Sequence, residues 1–170
     1  MISEYLSIVE KKVDFGLKLE TYHSILVKDY TSALVKTIDG YYALVKQFRP
    51  SIEGYTIELV AGTVEKGESP RANIVKEIAE EVGMRCRDEN VFDLGISLPD
   101  TGRHENNIYS FYVENAEYID KNKFVAEEGI EIILVDKEEL FEMIDTGKLN
   151  HSLHLAVILL AITKGYLTKD

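Results

Sequence analysis

With 170 residues, 45% of them apolar and 29% charged, the chain is long enough for one domain with a full core and short of the usual length for two. Nineteen basic residues against 30 acidic ones leave a formal charge of −11. That balance argues against non-specific nucleic-acid binding, which rests on basic surfaces, and means that an anionic ligand needs local arginines or a bound cation. Cys86 is the single cysteine, so no intramolecular disulfide can form; it reads as a small buried hydrophobe in a reducing compartment. The N-terminus, MISEYLSIVEKKVD, carries acids early and no apolar run, unlike a signal peptide. The longest apolar run, Leu155 to Ile162, is too short to span a bilayer. The expectation is a cytoplasmic protein with no membrane or nucleic-acid partner.

Neither an internal repeat nor a Pro/Ser-rich linker interrupts the chain, and residues 1–170 read as one domain. The first thirty residues, with Tyr5, Tyr22 and Tyr30, read as extended, apolar-aromatic segments. Residues 21–28 and 31–38 are rich in β-branched and apolar side chains, and Asp39-Gly40 marks a hairpin turn before a strand over 41–48. Tyr55–Val60 reads as the next strand. A helix is expected from about Pro70 to Val82, with Ser69 as N-cap, Pro70 at its first position and Gly83 past its end. Strands follow at Val91–Leu98, Asn107–Val113 and Glu131–Val135. Asp136 can cap a second helix that stops by Gly147, and the apolar segment from about Ser152 to Lys164 forms a third. Strands mixed with a few helices, without strict alternation, predict an α+β sandwich.

The first helix carries the informative pattern. At about 100° per residue, Ile74, Val75, Ile78, Ala79 and Val82 share a core-facing arc. Glu77, Glu80 and Glu81 stand at i, i+3 and i+4 on a separate edge. At about 5 Å and an effective dielectric near 20, each pair of such charges costs on the order of 3 kcal/mol before screening. On an open surface the side chains would splay apart; in a cleft the repulsion calls for a shared proton or a divalent cation. Oxygen ligands without His or Cys nearby suit Mg²⁺ or Mn²⁺ better than Zn²⁺. The preceding strand ends in Ala61-Gly62 and leads through Gly67 into the helix, a glycine loop able to bring main-chain groups close to a metal-bound phosphate.

Gly62, Glu68, Glu77, Ile78, Glu80, Glu81, Gly83 and Met84 fall in register with the Nudix box, Gly-x5-Glu-x7-Arg-Glu-U-x-Glu-Glu-x-Gly-U with U a bulky aliphatic. Residues 62–84 thus resemble the Nudix hydrolase family, with Lys76 in place of the box arginine. Outside the box the chain resembles the ADP-ribose pyrophosphatase branch. VKQFRP (Val45–Pro50) is similar to a strand end with a substrate-facing arginine, and ELVAG (Glu58–Gly62) to a Glu-Leu-Pro-Ala-Gly lead-in. Pro99 stands downstream of the box at the spacing of that branch.

The resemblance implies an α/β/α sandwich with a mixed sheet and hydrolysis of the diphosphate bond of ADP-ribose or a related nucleoside diphosphate sugar, yielding a nucleoside monophosphate and a sugar phosphate. It implies metal ligands at Glu77, Glu81 and the carbonyl of Ala61, with Mg²⁺ or Mn²⁺ as the cation and Glu80 sharing the cluster. Arg49 would contact phosphate, Glu105 would lie near substrate, and Glu127 or Glu128 in the late acidic loop would be the general base. Lysine at 76 keeps the charge that holds the glutamates but loses the planar fork. The branch also implies a homodimer whose N-terminal region completes the site.

Arg103 and His104 flank Glu105 and have the position to touch substrate. Glu68 reads as a brace for the loop or helix start. His151 and His154, at i and i+3 opening the last helix, have no third ligand spaced near them and read as structural or surface residues. Two other readings stand beside the leading one: a Nudix enzyme for a GDP- or UDP-linked sugar, and a non-catalytic module that senses a nucleotide.

Overall fold

The computed structural model describes residues 6–120, 124 and 129–169. Among the described residues, nine strands and three α-helices follow one another as β1 (Ser7–Asp14), β2 (Leu19–Leu26), β3 (Tyr30–Thr37), β4 (Tyr42–Arg49), β5 (Gly54–Thr63), α1 (Pro70–Val82), β6 (Met84–Arg85), β7 (Val91–Ser97), β8 (Ile108–Tyr118), β9 (Ile130–Val135), α2 (Lys137–Asp145) and α3 (Ser152–Thr163). β1 and β2 form a separate antiparallel hairpin. The other strands make one mixed sheet in the order β6-β8-β3-β5-β4-β9, with β7 added against β8. β3 and β8 run parallel; their partners run antiparallel.

Alternation along the central strands explains the layers. Ala33, Val35, Ala43, Val45 and Val60 point to one face and pack with Ile74, Ile78 and Val82 of α1. Their neighbours Leu34, Tyr42, Leu44 and Leu59 point to the other and pack with Leu140 of α2 and Val157, Ile158 and Ala161 of α3. Successive side chains of a strand take opposite faces, so a run such as Ala33-Leu34-Val35, buried throughout, requires a cover on both sides. The result is an α/β/α sandwich, as the resemblance implied. Each of Ile74, Ile78 and Val82 is fully buried, a gain of about 1.5–3 kcal/mol apiece.

α1 begins and ends where its caps dictate. Ser69 accepts a hydrogen bond from the Ala72 N–H (3.2 Å), Pro70 opens the first turn, and Gly83 closes the helix in the left-handed conformation, with φ +62°. α2 carries a full capping box between Asp136 and Glu139. Two strands run past the lengths expected of them. β5 continues to Thr63, and β8 continues to Tyr118 because Asn115, at φ +54°, absorbs a register shift and returns Ala116 to pair with Thr37.

The strand that matters most for the site is β5, because it changes neighbour along its length. From Gly54 to Leu59 it pairs with β4; from Val60 to Thr63 it pairs with β3. The edge of Val60–Thr63 turned away from β3 is therefore open, and α1 crosses beside it.

Candidate active site

Two of the box glutamates meet that open edge. Glu81 accepts a hydrogen bond from the Ala61 main-chain N–H at 3.1 Å. In an antiparallel ladder the N–H and C=O of one residue point the same way, so the Ala61 carbonyl lies on the Glu81 side as well. Glu77 lies over Gly62, so closely that its carboxylate occupies the place a Cβ there would need. Glu80, one turn on, is half exposed and stands 3.8 Å from Lys76; Lys76 also stands 3.6 Å from Glu77.

Asn73 buttresses the pair from below. It is fully buried, accepts a hydrogen bond from the Thr31 hydroxyl (2.5 Å), and shares the two hydrogens of its Nδ2 among the Thr63 carbonyl (3.0 Å), Glu68 (3.0 Å) and Glu77 (3.3 Å). Glu68 also accepts from the Glu65 N–H (3.2 Å), so it braces the loop and the helix start, as expected of it.

The electrostatics of this edge are unbalanced. Burial, with Glu77 and Glu58 nearby, pushes the Glu81 carboxyl up to about 8 even though the Ala61 N–H opposes the shift. Burial also raises Glu77, against the pull of Lys76. A divalent cation would relieve both shifts, and two carboxylates with a main-chain carbonyl form an oxygen donor set of the kind Mg²⁺ or Mn²⁺ takes. Among the described residues, no three His, Cys, Asp or Glu side chains converge into a metal cage of their own. The set fits a cation that keeps some of its coordination for water, as Mg²⁺ does.

Beside the glutamates opens a cleft of about 540 Å³ whose lining includes Arg49, Glu58, Thr63, His104, Asn106 and His151, with Pro99, Ile108 and Leu153 among its apolar walls. Arg49, at the end of β4, donates from Nε to Glu58 Oε1 (2.7 Å) and from Nη2 to Glu58 Oε2 (2.5 Å). Burial alone would raise the Glu58 carboxyl, but hydrogen bonds from Arg49, His154 and Thr56 outweigh it and hold the group well below the usual carboxylate range. Glu58 is therefore ionised. Arg49 is correspondingly raised, first by its hydrogen bond with Glu58.

A match to the NUDIX domain family covers residues 31–154, most of the chain. The chain belongs to the Nudix family. It is similar to an ADP-ribose pyrophosphatase of Bacillus subtilis (strain 168), 26% identical over 116 residues, covering 68% of this chain and 62% of that one. It is also similar to a methanol dehydrogenase activator of Bacillus methanolicus, 31% identical over 96 residues (52% and 50% of the two chains), and to an ADP-sugar pyrophosphatase of Mus musculus, 42% identical over 59 residues (32% and 27%). The matched stretch spans less than two thirds of each of these relatives. Among solved structures, one described as an ADP compounds hydrolase superposes with a TM-score of 0.78 over 98% of this chain and 92% of that one, at 13% identity. At that identity the likeness speaks for the Nudix fold.

Within this Nudix frame the structure brings Ala61, Glu77 and Glu81 together, with Glu80 at their solvent side and Arg49 in the adjoining cleft. It places Arg103 and Glu105 elsewhere. Neither is among the residues lining the cleft; His104 and Asn106 are. The segment is extended where Ile25 pairs with His104, so 104 and 106 share one side and 103 and 105 the other. Glu105 is tied to the hairpin instead, by Ser24 and by Lys11 at 2.7 Å, and these partners hold its carboxyl below the ordinary value. Glu127 and Glu128 lie outside the described residues, as does Tyr5. Just before those glutamates, the Phe124 ring sits against Gly83 at the end of α1.

Sequence reasoning missed Asn73 and Glu58 as parts of the site and read His154 as a structural or surface residue. Asn73 had one signal: it stands four residues before Glu77 on the helix, the spacing at which side chains meet. The link between Glu58 and His154 crosses 96 residues and has no local signal.

Proposed function

We propose that this chain is a divalent-cation-dependent Nudix pyrophosphohydrolase acting on ADP-ribose or a related nucleoside diphosphate sugar. The observation that carries the reading is the junction of a half-buried, under-neutralised glutamate pair at Ala61 with a cleft that presents Arg49. The similarity to an ADP-ribose pyrophosphatase and an ADP-sugar pyrophosphatase supports the substrate class.

Glu77, Glu81 and the Ala61 carbonyl would hold the cation, Mg²⁺ or Mn²⁺. When bound, it supplies charge neutralisation at the diphosphate and a lowered pKa for a water. The chain's own residues do the rest. Arg49 takes the diphosphate in the cleft, supplying the local positive charge that an acidic protein needs for an anionic ligand. Asn73 and Gly62 fix the Glu77 carboxylate against the strand, and Lys76 steadies Glu77 and Glu80 from the solvent side. Glu127 or Glu128 accepts the proton of the attacking water. The products are a nucleoside monophosphate and a sugar phosphate.

The protein is further proposed to act as a homodimer in the cytoplasm. The β1–β2 hairpin supports the dimer: it presents Ile8, Phe15, Leu17 and Leu19, all more than half exposed, and touches the rest of the chain mainly near residues 102–105. Among the described residues no helix is long and apolar enough to cross a membrane.

A product-resolved assay with Mg²⁺ tests the function. ADP-ribose should yield AMP and ribose 5-phosphate, and excess EDTA should stop the reaction. Preferential release of a monophosphate from GDP-mannose or UDP-glucose would move the substrate class. Failure to release monophosphate from any of the three would overturn the reading in favour of a nucleotide-sensing module.

A further inference from the structure

Arg49 does not find its position alone. A guanidinium has five N–H donors in a rigid fork, and Glu58 engages Nε and one hydrogen of Nη2. The remaining donors point away from Glu58; the Tyr30 hydroxyl accepts from this side of the fork, and Arg49 lines the cleft. Glu58 is in turn held on its other sides. Thr56 donates to Oε1 (2.5 Å), and His154, on α3, lies 3.1 Å from Oε2 through Nε2. An ionised carboxylate only accepts, so His154 Nε2 carries the hydrogen and donates it. Nδ1 is then an acceptor, matched by the Ser32 hydroxyl at 3.1 Å. Burial lowers the His154 pKa, in keeping with a neutral ring.

Ser32, His154 and Glu58 are all within 1% of complete burial. Apolar packing of such a cluster is often neutral or stabilising, so its stability does not account for it. What the cluster does is fix a carboxylate, and through it the plane of one arginine.

We infer that His154 is a positioning residue: through Glu58 it sets the Arg49 guanidinium for the substrate diphosphate, making the C-terminal helix part of the binding machinery. This rests on the reading that Arg49 binds the diphosphate.

The test compares the whole protein with His154→Phe, His154→Gln, Ser32→Ala and Arg49→Lys. ADP-ribose affinity is measured by calorimetry in EDTA, and kcat and KM with Mg²⁺. His154→Phe should raise Kd and KM about tenfold with a smaller change in kcat. His154→Gln, which can return an N–H to Glu58, should recover most of the loss even where both variants share a lowered Tm. The Arg49 Nε–H resonance, assigned by its disappearance in Arg49→Lys, reads the relay without ligand: it should move in His154→Phe and stay in His154→Gln. An unmoved resonance, or a lowered Tm with native Kd and KM, overturns the inference. If His154→Phe does not fold, Ser32→Ala decides: a shifted resonance supports the relay and a native one overturns it. A shifted resonance with native Kd in both His154→Phe and Arg49→Lys would show that the relay exists and that the diphosphate reading of Arg49 has failed, which overturns the assigned role.

Discussion

The Glu77 carboxylate fills the space that a side chain at position 62 would need, so the glycine of the box is a steric requirement of its own glutamate. Gly62→Ala should displace Glu77 while leaving the sheet paired. A shift of about 1 Å at such a group costs about 100-fold in rate. The expected result is that loss in kcat with Mg²⁺ and a native circular dichroism spectrum. Near-native turnover would mean that Glu77 does not have to lie where it does.

Glu81 gives a prediction with a definite pH sign. Its carboxyl is raised to about 8 in the cation-free fold, against about 4.3 in an unfolded chain. The folded state thus binds a proton more tightly, and stability falls as pH rises from about 4.3 to 8. Glu81→Gln removes that decline. In EDTA it should be more stable than the native protein at pH 8, by on the order of 4–5 kcal/mol, and little different at pH 4.5. With Mg²⁺ its turnover should drop by orders of magnitude, and the cation should raise its Tm far less than that of the native protein. Chemical denaturation at the two pH values, with and without Mg²⁺, checks each part.

Lys76 stands 3.6 Å from Glu77 and 3.8 Å from Glu80, a point charge near two carboxylates without a fork to grip either. Lys76→Arg should preserve kcat/KM or raise it a few-fold. A tenfold loss would show that the surroundings have adapted to the ammonium group.

The hairpin predicts an assembly. Light scattering at micromolar concentration should give twice the chain mass, and deletion of residues 1–20, which removes β1, should abolish the dimer and raise KM. A monomeric native chain, or a truncated one with native KM, would contradict it.

What could be read beforehand depended on distance along the chain. The box lies within residues 62–84, and helical spacing alone placed Glu77, Glu80 and Glu81 on one edge and Ile74, Ile78 and Val82 on the other. The strands followed from runs rich in β-branched and apolar residues, such as 31–38, and from the Asp39-Gly40 turn; that both faces are covered shows in Ala33-Leu34-Val35, which pack on opposite sides of the sheet. Long-range polar contacts had no such periodicity. Ser32 and His154 are 122 residues apart, and Glu105 turned toward Lys11 and Ser24 because its strand-like segment has a phase the sequence does not print. Composition asked for local arginines near an anionic ligand; it could not say that one of them, Arg49, would already be claimed by a buried glutamate.

The change of partner halfway along β5 has a consequence for how the protein tolerates mutation. Where that strand leaves β4, it exposes an oxygen belonging to the backbone of Ala61, and no exchange of side chains can delete a backbone atom. A substitution survey would therefore score position 61 by the bulk it admits and remain blind to what its carbonyl contributes. The glutamates can be lost by a single codon change; the carbonyl leaves that place only if the path of the chain itself is redrawn.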